Sequence, residues 1–338
     1  MPISQAPRDA VERYLVAQGN SPAVVAWKYF DDGFNRGRER GMVWLQEGVV
    51  RGFIGLIPFE LRAGEMRIPA VWSCDWSLEA PDRTPGMGIL LLKAAVESAG
   101  LLVTFNGNEN TDAILPRLAS RTVADAGVRF LLPLRTGYYV GRAAARLPAL
   151  AAARVPLGWV PLPAALRRPA APVAVERGVS RALGPILDAD GDGSTVRPSY
   201  GLDYLEWQCG RCPEVEAWTC CVTAGGSGSA VRAAVLVWRS ARAGADWKMA
   251  LWGAGDAEAA RAAVVAGSRV AARHGAESVT ATVARADAAA VALLGAAGFR
   301  RSRNPVALYF SEGRGAARAP SGAVGGLSAL DTDMAYLG

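Results

Sequence analysis

The sequence predicts an α/β fold, a mixed sheet with helices on its faces, laid out in two halves. Three observations predict it. Residues 70–103 alternate as a strand, break at a loop with two prolines and a glycine, resume at helical spacing and finish in an apolar run. Short alternating runs joined by tight turns lead into that unit. The second half of the chain then repeats the same order of elements.

In order, a first helix is expected around Ala10 to Ala17, with Val11, Tyr14 and Leu15 as its apolar stripe. Ser21-Pro22 suits the start of a second helix through Trp27, Lys28, Tyr29 and Phe30. Met42 to Leu45 and Val49 to Leu61 read as strands with Glu47-Gly48 as the hairpin turn, and Ala63-Gly64-Glu65 turns into a third strand, Arg67 to Leu78. There Trp72, Cys74 and Trp76 are expected on one face, and Ser73, Asp75 and Ser77 on the other. Ile89, Leu92 and Val96 mark a helix that Gly100 ends. Leu101 to Phe105 follows as a strand, Thr111 to Leu118 as a helix with Pro116 inside it, and Val128 to Leu134 with Gly137 to Gly141 as the strands that close the first sheet.

The loop before the helix reads Arg83-Thr-Pro-Gly86-Met-Gly88. A helix start aims unpaired N–H groups and the positive end of its dipole outward; glycines let an anion approach, and an arginine adds a charged donor. The motif is an anion cradle, or a plain loop-to-helix junction whose glycines serve geometry alone. Its place after a strand and before a helix resembles the coenzyme A pyrophosphate loop of the GNAT acyltransferase family. The following Phe105-Asn106-Gly-Asn108-Glu-Asn110-Thr111 stands where that family ends its next strand, with an Asn near the pantetheine arm. Three features depart from the family: Pro116, the lack of a Tyr between Thr111 and Ser120, and a Gly-Phe whose nearest counterpart is Gly127-Val128-Arg129-Phe130.

The resemblance implies two GNAT-like acyl-CoA N-acyltransferase domains in tandem: a catalytic one over 1–142, an Ala/Pro/Arg-rich linker over 143–179, a degenerate copy over 180–310 and a flexible tail over 311–338. In the second half Asp203 to Gln208 echoes Ala23 to Lys28. Trp218 to Thr223, Val231 to Arg239, Lys248 to Trp252 and Ser278 to Val283 read as strands, with helices at Ala257 to Arg273 and Ala286 to Ala297, the last followed by Gly298-Phe299. Its loop, Gly253-Ala-Gly255-Asp256, puts a carboxylate where a pyrophosphate would sit, so one cradle is expected in the chain. Arg83, Gly86, Met87, Gly88, Ile89, Asn106 and Asn108 are then the residues implied to hold acetyl-CoA or another acyl-CoA as co-substrate, with no metal.

The resemblance also implies a carboxylate on the strand beside the cradle as proton acceptor. Asp75 is the first choice and Glu79 the second, with Glu109 and Asp112 as alternatives and Tyr138 or Tyr139 as acids for the leaving thiolate. Burial would raise the pKa of Asp75 toward neutrality; a hydrogen-bonded structural Asp is the other reading. Trp27, Trp72, Trp76 and Trp207 either line an acceptor pocket or fill the core. The acceptor expected is a small-molecule primary amine, with an amino sugar of a polysaccharide pathway preferred. FemAB-type aminoacyl transfer and a non-catalytic binding module are the competing readings, and the second half either shapes the acceptor site or holds a homodimer together.

The bulk numbers exclude several classes. At 338 residues, 51% apolar and 20% charged, the chain has room for two domains with proper cores. The net charge of +6 comes mostly from arginine and suits an anionic co-substrate, but no basic run with interleaved aromatics points to nucleic acid. Met1 to Leu15 carries charges and no apolar signal core, and residues 147–166 contain Arg154 and prolines, so a cytoplasmic protein without stable membrane insertion is expected. The only histidine, His274, argues against a Ser-His-Asp triad. Asp188-Ala-Asp190-Gly-Asp192-Gly193 opens like a calcium loop but meets Ser199 at its twelfth position. Cys209, Cys212, Cys220 and Cys221 lack the further ligands of a zinc site and read as buried apolar residues.

Overall fold

The computed structural model describes the chain except for residues 36, 80–85, 107–110, 112, 136–137, 139–170, 189–194, 225–229, 242–243, 304–305, 316–317 and 329–338, and the side chains of Asp32 and Asn35. Helix α1 (Arg8–Ala17) buries Ala10, Val11, Tyr14 and Leu15. Helix α2 (Pro22–Phe30) starts where Ser21 accepts the Val24 amide and Pro22 takes a first-turn position that needs no N–H. Strands β1 (Gly41–Gln46) and β2 (Val49–Ala63) meet at Glu47-Gly48, both with positive φ, as a two-residue hairpin requires. Then come β3 (Met66–Leu78), α3 (Met87–Ala99), β4 (Leu101–Phe105) and β5 (Arg121–Pro133).

The second half opens with β6 (Ala174–Arg177) and β7 (Thr195–Ser199), then the short α4 (Leu202–Leu205), which runs into a π-turn at Glu206–Gly210. Strands β8 (Val215–Thr223), β9 (Val231–Ser240) and β10 (Asp246–Trp252) precede α5 (Ala257–Arg273). After it come β11 (Ser278–Ala284), α6 (Ala288–Ala296), β12 (Arg300–Arg301), β13 (Val306–Glu312) and β14 (Ala323–Val324).

All the described strands join one mixed sheet in the order β14-β7-β2-β3-β4-β13-β5-β11-β10-β9-β8-β6, with β1 on β2 and β12 on β5. The middle of this order reads alike from both directions. β2/β3 and β9/β10 are antiparallel, β3/β4 and β10/β11 parallel, and β4/β13 and β11/β5 antiparallel. The two halves exchange a strand: β13, from the end of the chain, lies beside β4, while β5 lies beside β11. Val128 to Leu134 therefore does not close the first half's sheet; from Gly127 to Pro133 it pairs with Ala284 to Ser278 in the second.

One face of the sheet carries a core common to both halves, gathering Trp27, Phe59, Trp72 and Phe105 with Trp207, Leu236 and Ala250. Trp27 and Trp207 stack at 4.5 Å, and the Trp27 indole N–H donates to the Trp207 carbonyl at 2.9 Å, so the two echoing helices meet face to face. Such rings contribute on the order of 2–3 kcal/mol each by burial, which makes this face the main holder of the halves. On the other face α3 and α5 each pack a separate cluster.

Four further expectations are corrected. The helix expected over 111–118 is a single turn, Leu115–Leu118, with Pro116 in its first turn, where the missing N–H costs nothing. Gly127 to Phe130 lies within a strand rather than after a helix. Ala174 to Arg177, at the end of the expected linker, pairs with β8. The tail expected over 311–338 is not loose in its described part: Ser311 and Glu312 end β13, β14 pairs with β7, and Val324 and Leu327 are buried, while 316–317 and 329–338 lie outside the described residues.

Candidate functional site

Strands β3 and β4 pair only at Val71 with Leu102 and Trp72 with Val103. Beyond that, β3 runs on to Leu78 with no β4 partner, and β4 stops at Phe105. The two strands splay toward their C-terminal ends, bridged at the fork by the Ser73 and Thr104 hydroxyls at 2.7 Å. In parallel sheets with helical crossovers, ligands bind at such a fork.

Just past the fork β3 bulges. Cys74 pairs with Gly55 and Ser77 with Phe53, so Asp75 and Trp76 together face Ile54. Asp75 takes φ +46° to make the extra step. The bulge breaks the expected alternation: Trp72 and Cys74 stay in the shared core, while Trp76 packs with Leu78 on the α3 side. It also turns Asp75 toward α2. There the Lys28 ammonium donates to Asp75 Oδ2 at 2.6 Å and the Tyr29 hydroxyl donates to the same oxygen. The Lys28 side chain is fully buried and that of Asp75 12% exposed. Burial of an ammonium is costly without a carboxylate beside it, so the pair is obligatory rather than ornamental. Gly55 makes the room: a Cβ on it would stand 2.3 Å from the Tyr29 hydroxyl and 2.7 Å from Cys74 Sγ. Alongside, the Tyr14 hydroxyl lies 3.2 Å from Ser77 Oγ.

The helix that follows β3 starts at Gly86, whose φ of +125° suits glycine alone, and a Cβ there would meet only open space. Having no side chain, Gly86 cannot cap the first turn, so the N–H groups of Met87, Gly88 and Ile89 point out of the helix start. Gly88 lies against Trp76, 3.4 Å from where its Cβ would be, which ties the helix start to the bulge. A glycine-led helix start with no side-chain cap among the described residues has the donor chemistry that a pyrophosphate needs.

Of the other expected site residues, Glu79 continues the edge of β3, with its amide donating to the Arg51 carbonyl and its carboxylate 2.6 Å from the Arg51 guanidinium. Asn106, at φ +54°, clamps the end of β4 to β13: its Oδ1 accepts the Ala307 amide at 2.7 Å, and its own amide donates to the Ala307 carbonyl. Arg83, Asn108, Glu109, Asp112 and Tyr139 lie outside the described residues, and Tyr138 follows β5, away from the fork. Trp72 and Trp207 are fully buried and Trp27 nearly so, which makes them core; Trp76 is half-buried. Sequence reasoning missed Lys28 and Tyr29. The signal was present, a lysine inside the apolar run Val24-Val-Ala-Trp-Lys28-Tyr-Phe30.

The second half keeps a fork, since β10 and β11 pair only from Asp246 to Met249, but lacks the other parts. Trp252 is the last residue of β10 paired with β9, and Gly253 after it takes φ +76°, as Asp75 does after Cys74. Its Cβ would stand 2.3 Å from the Arg232 carbonyl, so no side chain fits. The positions echoing Lys28 and Tyr29 are Gln208 and Cys209. The helix start there is already filled, because Asp256 accepts the Ala259 amide at 3.1 Å and pairs with Arg232 at 2.6 Å. Those contacts, the Ala259 amide first, hold its carboxyl below the usual range. The cysteines are free and buried; burial first of all pushes the Cys220 thiol up to about 12 and Cys221 to about 11. No group able to hold a metal ion is found among the described residues, nor any helix long and apolar enough to cross a membrane. His274 caps α5, and its ring lies tilted at 38° against that of Trp218, centroids 4.2 Å apart.

No known family model matches the sequence, and no curated protein resembles it. Solved structures do. A protein of Enterococcus faecalis V583, described as a probable N-acyltransferase, is similar over 90% of this chain and 70% of its own, at 10% identity and a TM-score of 0.56. A GCN5-related N-acetyltransferase from Anabaena variabilis ATCC 29413 matches over 90% and 71%, at 12% identity and 0.54. A tandem GNAT protein from the clavulanic acid biosynthesis pathway, solved without AcCoA, matches over 93% and 95%, at 13% identity and 0.54. The chain has the GNAT fold twice in tandem.

Proposed function

We propose that the chain is an acyl-CoA-dependent N-acyltransferase that works from its first half and acylates a small primary amine. One observation carries the reading: the fork between β3 and β4, the carboxylate of Asp75 and the uncapped start of α3 stand together in the first half, while the second half keeps the fork and has lost the other two. The described residues fit the co-substrate. N–H groups of Met87, Gly88 and Ile89 would hold the pyrophosphate, with Arg83 as the cationic residue nearest in sequence. The unpaired edge of β3 beyond Trp72 faces the fork, where backbone N–H groups would stabilise the carbonyl oxygen as charge develops on it.

The amine nitrogen attacks the thioester carbonyl carbon, the carbon–sulfur bond breaks, and the thiolate ends with the proton that the amine loses. Asp75, paired with Lys28, receives that proton directly or through a water. Tyr29 and Lys28 fix its orientation. Among amines an amino sugar is the acceptor proposed, on the resemblance of the paired Trp-containing helices to those of sugar-modifying acyltransferases.

Calorimetric titration with acetyl-CoA tests the reading. Wild type and Gly86→Ala are expected to bind, since alanine shares the backbone strain but adds no charge; Gly86→Asp is expected to lose tenfold or more. Absence of heat with wild type would end the acyl-CoA reading, and equal binding by Gly86→Asp would move the site away from α3. A turnover assay with glucosamine, with Asp75→Asn as the inactive control, then tests the acceptor and the base.

A further inference from the structure

We propose that a second anion site, for a phosphate monoester, lies in the pocket where the exchanged strands meet. The pocket, about 470 Å³, is lined by Asp125, Gly127, Val128, Arg285, Arg301, Ser302 and Arg303. Its walls are set by β5. Between Val123 and Gly127 that strand carries three residues opposite Ala307 of β13, and this bulge opens the pocket. On one edge of β5 the Arg285 amide donates to the Ala126 carbonyl at 2.9 Å; on the other the Ser302 amide donates to the Arg129 carbonyl at 2.8 Å. The three arginines are thus carried on backbone pinned from both sides.

The charges do not balance. Asp125 is the one carboxylate in the lining, and Arg285 takes it at 2.5 Å. Arg301 and Arg303 have no ion pair among the described residues, so two arginines line a pocket whose one described carboxylate is already taken by Arg285. Paired guanidinium forks match a tetrahedral dianion better than a carboxylate, and the volume suits a ligand of nucleotide or sugar-phosphate size. Across the sheet the pocket is two strand spacings from the end of β4, about 10 Å. The phosphate can therefore come from either of two sources: the 3′-phosphate of a coenzyme A held in the first half, or a separate phosphorylated molecule. The first source rests on the function proposed above and the second does not.

Titration calorimetry of the full chain in chloride buffer with inorganic phosphate tests the site. Wild type is expected to bind saturably, and Arg301→Gln/Arg303→Gln to lose at least tenfold while its thermal melting stays within a few degrees of wild type. Absence of saturable phosphate binding by wild type, or equal binding by the double variant, would overturn the site. Coenzyme A and 3′-dephospho-coenzyme A separate the sources. If the 3′-phosphate is the ligand, the double variant and removal of that phosphate weaken binding by the same factor, and the two losses do not add. If the ligand is separate, the double variant binds both forms like wild type while losing inorganic phosphate. Failure of the acyl-CoA reading would leave both forms unbound and the inorganic phosphate result standing.

Discussion

The ammonium of Lys28 on α2 and the carboxylate of Asp75 on β3 meet at 2.6 Å, though 47 residues apart in sequence. The bulge that creates Asp75's unusual backbone thus also delivers it to the one charge that α2 buries. The contact serves stability and the proposed chemistry at once, and the two can be separated by experiment.

Asp75→Asn leaves an ammonium buried without its counter-charge and is expected to cost about 3–5 kcal/mol in urea unfolding, the range for a broken buried pair. Lys28→Met removes the cation and leaves a partly exposed carboxylate, which water can reach, so its cost is expected to be smaller. The double variant Lys28→Met/Asp75→Asn is expected to be more stable than Asp75→Asn alone. Full additivity of the two single effects would show that the pair carries no coupling.

Gly55→Ala drives a methyl group into the Tyr29 hydroxyl and is expected to destabilise by about 1–3 kcal/mol, as overpacking does. Adding Tyr29→Phe removes the oxygen that the methyl meets. The double variant is expected to recover part of the loss, and a melting temperature below that of Gly55→Ala would contradict this geometry.

Asp256→Ala uncaps α5 and is expected to lower the melting temperature at pH 7. The folded carboxyl lies below its ordinary 3.8, so its stabilisation is present above pH 3.8 and is lost as pH falls through the lower folded value. The gap between wild type and variant is expected to close in that acid range. A gap that stays unchanged throughout the acid range would assign the effect to something other than the charge.

No thiol is expected to react with an alkylating reagent at pH 8 in native protein, and all five are expected to react in urea. The folded thiols of Cys220 and Cys221 titrate above the ordinary 9.0, so folding favours their protonated form. Their contribution is full below pH 9 and fades as pH climbs toward about 11 and about 12. Mass spectrometry of the alkylated native chain checks the first point, and melting temperatures above pH 9 the second.

Cutting the chain into 1–142 and 143–338 is expected to give two fragments that fail to fold singly, since each lacks the strand that covers its own β4 or β11. Co-expressed, they are expected to form a one-to-one complex. Independent cooperative unfolding of either fragment would contradict the exchange.

The parts legible in the sequence are those with local signals. The turns at Glu47-Gly48 and Ala63-Gly64-Glu65 bound β2, alternation marks the start of β3, helical spacing with Gly100 marks α3, and the Ser21-Pro22 cap marks α2. The exchange was illegible because β5 and β13 are apolar strands that read alike beside either half, and their partners lie far away in sequence. The bulge was illegible too: Trp72, Cys74 and Trp76 alternate without a break, and only the register against Gly55 reveals the extra residue. Asp75 was found by its strand position, but its partners required the third dimension. Asp256 was legible as an obstacle to an anion, and its capping bond to Ala259 gives the mechanism.

Because β13 lies about 200 residues after β4 in sequence, β4 cannot be covered when it leaves the ribosome. Asn106 waits for Ala307, 201 residues downstream, which at ordinary elongation rates is on the order of 10–40 s. Throughout that interval the nascent chain displays an unpaired apolar strand edge to the cell. A premature stop anywhere before β13 would release a polypeptide with that edge open, so the fork is finished only on chains that have been read through Val306–Glu312.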